Sequence, residues 1–320
     1  VSRFSPAPQA AAPIMRLIPL PGHGPEDVVV DAEGWVITGL ADGRILRVNP
    51  ETTEIRLLAH TGGRPLGLEL FEDGRLLICD SRLGLLEANP LTGEVKTLLH
   101  KLDGQPLMFC NNAAIASDGT VYFSDSSKRY GIDEWRKDIV ENIPTGRLLC
   151  RRPNGVVEVL LEQLHFANGV ALAADESWLV VAETGVSRLM RVWLKGDRAG
   201  QAEVFCDNLP GVPDNMSTGG DGLIWVAMAA PNNALLARLH KAPYVVRQLA
   251  SRLPRAVQPE PERTVWVLAL DGAGDVVHNY RWDGEHYHMV TGVREHGGRL
   301  YMSSLEEDGI LIVELVDSPL

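Results

Sequence analysis

"FANGVALAADESWLVVAET", Phe166 to Thr184, reads as an apolar strand, an acidic turn and a second apolar strand, with Asn168 at the head of the first. One asparagine beside a turn means little, since Asn is a favoured turn residue. The segment gains meaning because its design recurs. "EDVVVDAEGWVITGL" (26–40), "LGLELFEDGRLLICDS" (66–81), "NNAAIASDGTVYFSDS" (111–126), "DNMSTGGDGLIWVAM" (214–228) and "TGVREHGGRLYMSSL" (291–305) repeat it. Each has a polar or small head, a short strand, a Gly or acidic turn, and a strand rich in Val, Ile, Leu and aromatics. A second hairpin follows most copies, as in "GRILRVNPETTEIRLLAH", "GLLEANPLTGEVKTLLH" and "GRLLCRRPNGVVEVLLE". Their NPxT and PNG turns suit antiparallel neighbours, giving four strands per repeat.

The repeat turns fall at Gly34, Gly74, Gly119, Glu176, Gly222 and Gly298. Their base period of about forty residues is that of propeller blades. The expected fold is all-β: a six-bladed β-propeller with short helical insertions capping one face. Residues 1–16 read as an N-terminal tail and 17–320 as a single domain. "PIMRLIPL" is a strand with no blade of its own, so it is expected to complete blade six and leave no free sheet edge. The insertions are "SKRYGIDEWRKDIVENIP" in blade three and "NNALLARLHKAPYVVRQLASRLPRAVQP" in blade five. Helical apolar spacing at Trp135 and Ile139, at Leu235, Leu236 and Leu239, and at Val246, Leu249 and Leu253 makes them walls for a pocket mouth. Deleting part of "DEWRKDIVEN" should then change substrate preference more than fold stability.

Composition narrows the function. The 30 basic and 42 acidic residues give a net charge of −12, which repels a nucleic-acid backbone and leaves a small molecule as the expected partner. No apolar run of about 18 residues marks a membrane segment, and the N-terminus lacks the order of a signal peptide. A cytoplasmic location is the expectation, although a chain beginning at Val1 leaves an upstream segment open. Cys79, Cys110, Cys150 and Cys206 show no CxxC spacing, which argues against zinc and for thiols packed as small hydrophobes. Oligomeric state is not readable.

In a propeller the first strand of each blade lines the central channel. Glu26, Asn111 with Asn112, Asn168, and Asp214 with Asn215 therefore meet at one channel end. Two carboxylates and several amide oxygens make a hard-oxygen site of mixed charge, which suits Ca²⁺ or another divalent cation better than zinc. Each residue could instead cap only its own strand. His165 and Glu183 are further pocket candidates, whereas His278, His286 and His288 fall in an outer hairpin and read as solvated. No GxSxG elbow supports a serine triad.

"FANGVALAADESWLVVAET", "FCNNAAIASDGTVYFSDSSKRY", "PTGRLL", "NLPGVPDNMSTGGDGLIWVAM" and "VREHGGRLYMSSL" resemble the strictosidine-synthase-like branch of the six-bladed propellers. That branch is related to the gluconolactonase (senescence marker protein 30) and paraoxonase families. The resemblance implies a metal held by Glu26, Asn111, Asn168 and Asp214, as in the calcium-dependent lactonases. It also brings departures. Thr291 stands where the synthases carry a catalytic Glu, and Leu66 where paraoxonases carry a His. A calcium-dependent hydrolase of a lactone or aryl ester is the leading expectation, with Asp214 as general base. A strictosidine-synthase-like lyase and a non-catalytic small-molecule-binding propeller are the alternatives. On the hydrolase reading, Thr291→Glu should leave hydrolysis nearly unchanged.

Overall fold

Six four-stranded antiparallel sheets, arranged as blades around one channel, account for almost all regular structure in a computed structural model that describes residues 15–315. The inner strands are Val28–Val30, Pro65–Leu70, Cys110–Ile115, Ala167–Leu172, Gly211–Thr218 and Val290–His296, and each blade adds strands outward in chain order. Blade six departs from this rule. Its outermost strand is Met15–Pro19, which pairs antiparallel with Gly309–Glu314 from Met15 opposite Val313 to Pro19 opposite Gly309. This strand thus joins the first and last described strands in one sheet. It begins at Met15, two residues before the expected domain boundary, and residues 1–14 lie outside the described residues.

Each blade is buried on both faces, which explains why its inner strands read as apolar runs rather than as alternating ones. Six apolar clusters fill the six seams between blades. Val28, Leu46 and Tyr301 belong to the seam of blades six and one, for example, and Val180, Val226 and Leu268 to that of blades four and five. The six repeat turns share a left-handed backbone, with φ of +76° to +82° at the five glycines. Glu176, at the sixth, is forced to φ +56°, and its carboxylate accepts a 2.6 Å hydrogen bond from the Ser117 amide of blade three.

The insertions supply three helices, α1 (Trp135–Glu141), α2 (Ala234–His240) and α3 (Tyr244–Ser251). The Asn233 side chain caps α2 by accepting from the amides of Leu235 and Leu236. Trp135 and Ile139 pack on Leu66, Phe109 and Phe166, so the cap is anchored to the channel rim. Glu141 fastens the insertions to each other. Buried between them, it receives Tyr130 and Arg129 from its own insertion and Tyr244 and Ser251 from the other, at 2.8–3.2 Å. These charged and hydroxyl donors hold its carboxyl below the usual range against the opposing effect of burial. The expectation that the cap contributes little to stability is therefore revised: removing α1 would strand this network as well as open the pocket.

Candidate functional site

The channel end is built by one backbone device used repeatedly. In blades two to six the pairing of the inner strand slips at equivalent places, after Pro65, Cys110, Ala167, Pro213 and Val290, with a second slip after Val212 in blade five. A bulge of this kind re-aims a side chain away from the sheet. The first residues at these positions, with Glu26 in blade one, are Glu26, Leu66, Asn111, Asn168, Asp214 and Thr291. All six line one cavity of about 1140 Å³.

The second residues form a layer beneath: Asp27, Gly67, Asn112, Gly169, Asn215 and Gly292. Polar side chains alternate with glycines around the ring because there is room for only three. A Cβ on Gly169 would lie 2.4 Å from the Asp214 carbonyl oxygen, and one on Gly292 would lie 2.7 Å from Asp27 Oδ1. The three side chains lock the blades together. Asn112 Nδ2 donates to Asp27 Oδ2 at 3.2 Å, Asn112 Oδ1 accepts from the Val170 amide at 2.8 Å, and Asn215 Nδ2 donates to Glu26 Oε2 at 3.0 Å. Asp27 also accepts from the amides of Val28 and Leu68. Burial nevertheless pushes its carboxyl up to about 6.

Upper-layer electrostatics are unbalanced. Burial first, then the neighbouring charges of Asp214 and Asp27, raise the Glu26 carboxyl well above its ordinary value, with Arg64 opposing. Burial likewise pushes Asp214 up to about 7, although Asn168 Nδ2 donates to its Oδ1 at 2.7 Å. The oxygens Asn111 Oδ1, Asn168 Oδ1 and Asn215 Oδ1 are buried without a hydrogen-bond partner. Asn111 Nδ2 is spent on Ser126 Oγ, at 2.8 Å, so its oxygen is turned to the cavity side of the ring. Buried oxygens normally have partners, and buried carboxylates a counter-charge. Three orphaned amide oxygens beside two desolvated carboxylates fit one hard divalent cation. Among the described residues no three His, Cys, Asp or Glu side chains converge as a metal cluster, so such a site depends on its amides.

The other sequence candidates are placed differently. Asn112 and Asn215 lie in the lower layer and outside the cavity lining, although Asn215 offers an orphaned oxygen. Glu183 is fully buried in an ion pair with Arg188 and accepts the His165 amide at 3.0 Å, so it holds a strand end and does not face the cavity. His165 Nδ1 contacts Asn142 Oδ1 at 2.8 Å, which makes it a support for α1. The outer-hairpin histidines are not simply solvated: His278 stacks between Trp225 and Tyr280, and His288 pairs with Glu307. Phe109 and Phe166, which sequence reasoning did not select, meet edge to face at 5.2 Å and form the apolar floor beside the carboxylates. Phe166 holds φ +58°, a conformation that nothing in its residue type announces.

Two hydrogen bonds fix the state of His240. Its Nε2 donates to the Ile139 carbonyl at 2.8 Å, so Nδ1 must accept from Asn142 Nδ2 at 3.2 Å, and the ring must be neutral. Burial, with the charge of nearby Arg247 and His165 adding to it, lowers its pKa. A depressed folded pKa means that this contribution is complete above the unfolded value of about 6.5 and is lost as pH falls through the folded one. Limited proteolysis of residues 232–259 should accelerate as pH falls below about 6.5. His240→Gln should flatten that profile.

Comparison with known proteins agrees with this architecture. The strictosidine synthase family model matches residues 111–197, and the strictosidine synthase-like N-terminal model matches residues 14–48. The protein Strictosidine synthase-like 6 of Arabidopsis thaliana is 32% identical over 303 residues, spanning 93% of this chain and 80% of that protein. The chain belongs to the strictosidine synthase-like family. The adipocyte plasma membrane-associated protein of Rattus norvegicus is also 32% identical, over 92% of this chain and 84% of its own. Among solved structures, a gluconolactonase of Xanthomonas campestris superposes with a TM-score of 0.68 at 14% identity, covering 94% of this chain and 89% of its own. Regucalcin of Agrobacterium tumefaciens, a calcium-binding protein, gives 0.65 at 18%, covering 96% and 97%. At those identities the two structures support the fold alone.

Proposed function

We propose that this member of the family is a calcium-dependent hydrolase of a lactone or aryl ester with a large apolar portion. The strongest support is the set of buried, unpartnered amide oxygens beside Glu26 and Asp214. Glu26, Asn111, Asn168 and Asp214, with Asn215 from below, would hold the cation. When bound, it would polarise the carbonyl and stabilise negative charge as a Lewis acid. The rest follows from the chain itself. Asn168 positions the Asp214 carboxylate, which takes the proton of an attacking water as general base. Thr291 and Ser303 donate to the Glu26 carbonyl at 2.7 and 2.9 Å, which keeps Glu26 aimed into the cavity. Leu66, Phe109, Phe166 and Trp135 receive the apolar part of the substrate and exclude water.

Calorimetric titration with calcium tests the cation site directly. The expected result is one bound ion per chain and a rise in melting temperature that a chelator reverses. At a free concentration one hundred times Kd, the stabilisation should reach about 2.7 kcal/mol. Glu26→Gln should abolish both effects. No heat and no shift with the parent protein would defeat the assignment. A second reading, carbon–nitrogen bond formation between an amine and an aldehyde, draws on the family match to the strictosidine synthase model. The neutral Thr291 weakens it. Product from an amine and an aldehyde, without ester or lactone turnover, would favour it.

A further inference from the structure

The sequence expectation that Val246 and Leu249 wall the pocket fails in an informative way. α3 turns Arg247 and Ser251 inward to Glu141, and leaves the opposite face to solvent. Leu235, Val245, Val246, Leu249, Leu253 and Val257 are 46–63% exposed. Six large apolar side chains within residues 235–257 form an unusual grouping, because exposed apolar residues elsewhere, such as Leu57, Val204 and Val277, are scattered over outer strands. Scattered single exposures need no explanation, but a grouped set calls for a covering partner.

Charge says what that partner is. Residues 232–259 carry five basic residues, Arg238, Lys241, Arg247, Arg252 and Arg255, and no acidic one, within a chain of net charge −12. Arg238, Lys241 and Arg252 are exposed and form no ion pair among the described residues. Arg255 leans toward Glu260 and Glu306 at the edge, and Arg247 is engaged with the α1 carbonyls. Acidic residues resume only at Glu260 and Glu262, the latter paired with Arg281. A locally basic, apolar helical surface on an acidic protein is the pattern of a helix that lies in an anionic lipid interface.

The pocket mouth opens through the same surface. Leu235, Leu253 and Val257 belong both to the exposed patch and to the cavity lining, and Lys241 stands on the rim. We propose that the α2–α3 insertion docks the protein on an anionic bilayer surface without spanning it, so that the cavity faces the lipid and draws an apolar ligand from it. The docking half stands apart from the hydrolase reading, and it can be tested without any assay of turnover.

Flotation of the full chain with phosphatidylcholine vesicles, with and without phosphatidylserine, provides that test. Binding is expected only to the phosphatidylserine vesicles, weakening as salt is raised. Arg238→Glu, Lys241→Glu and Arg252→Glu combined should weaken it at least about tenfold, given the attraction each basic side chain feels near such a surface. Val245→Asp with Leu249→Asp should abolish it. Circular dichroism and melting should stay at parental values in both variants, because the substituted side chains are exposed. Lys96→Glu, on the exposed outer strand of blade two, should leave binding unchanged. Failure of the parent to bind, or equal binding by the charge-reversed variant, would overturn the proposal. So would a concentration-dependent dimer, in the absence of vesicles, that Val245→Asp with Leu249→Asp dissolves.

Discussion

Asp214→Asn should lower kcat for lactone or aryl ester hydrolysis by roughly 10² or more, with calcium saturating and circular dichroism unchanged. The substitution keeps the shape, and its amide oxygen can still accept from Asn168 Nδ2, but it removes the proton acceptor and one of the two upper-layer carboxylate charges that line the cavity. Those two losses separate in the measurement. If only cation binding is impaired, raising free calcium restores activity; if the proton acceptor is lost, it does not. The pKa of about 7 reflects an Asp214 carboxyl desolvated without a counter-charge, and a bound cation would hold it ionised at neutral pH. Full activity of Asp214→Asn, or of the parent protein in chelator, would sink the mechanism.

Thr291→Glu is a different case once the site is seen. From the sequence alone it adds an acid at the condensation position, remote from the cation. In the structure Thr291 is buried, lines the cavity and donates to the Glu26 backbone. A glutamate there would become a third carboxylate beside Glu26 and would lose that hydrogen bond. Hydrolysis is now expected to fall, as kcat and calcium affinity measured together would show.

The blades were legible because their turns and seams are repetitive: one left-handed position and two apolar strands recur in each copy. The upper-layer residues were legible for the same reason, since the bulge places Asn111, Asn168 and Asp214 at equivalent points and Glu26 heads blade one at the matching place. What escaped was contact made across the repeat. Glu183 and His165 stand at equally suggestive strand ends, but Arg188 and Asn142 occupy them. Phe166 reaches the floor only through a positive φ. The face of α3 that is buried is decided by Glu141, about a hundred residues away in sequence, so helical periodicity alone pointed Leu249 the wrong way. One signal was present and unread: "LG", "NG" and "TG" at 66–67, 168–169 and 291–292 alternate with "ED", "NN" and "DN".

That alternation yields the last expected result. Gly169→Ala should both destabilise the propeller and disable the proposed cation site, although Ala is the smallest possible side chain. The methyl group would meet the Asp214 carbonyl oxygen at 2.4 Å, the Met216 amide nitrogen at 2.6 Å and the Asn215 carbonyl carbon at 2.8 Å. All three are backbone atoms, so no rotamer change relieves the clash, and blades four and five must separate where Asn168 meets Asp214. Overpacking of this kind typically costs about 1–3 kcal/mol. Gly131→Ala is the control, because its nearest neighbour would be the Met108 carbonyl at 3.5 Å and its φ is not left-handed. Thermal melts with and without calcium separate the two consequences: Gly169→Ala should melt lower in chelator and gain little from calcium, while Gly131→Ala should follow the parent in both. A Gly169→Ala protein with the parental melting temperature and full calcium response would show that the lower layer is loosely packed and that its glycines are incidental.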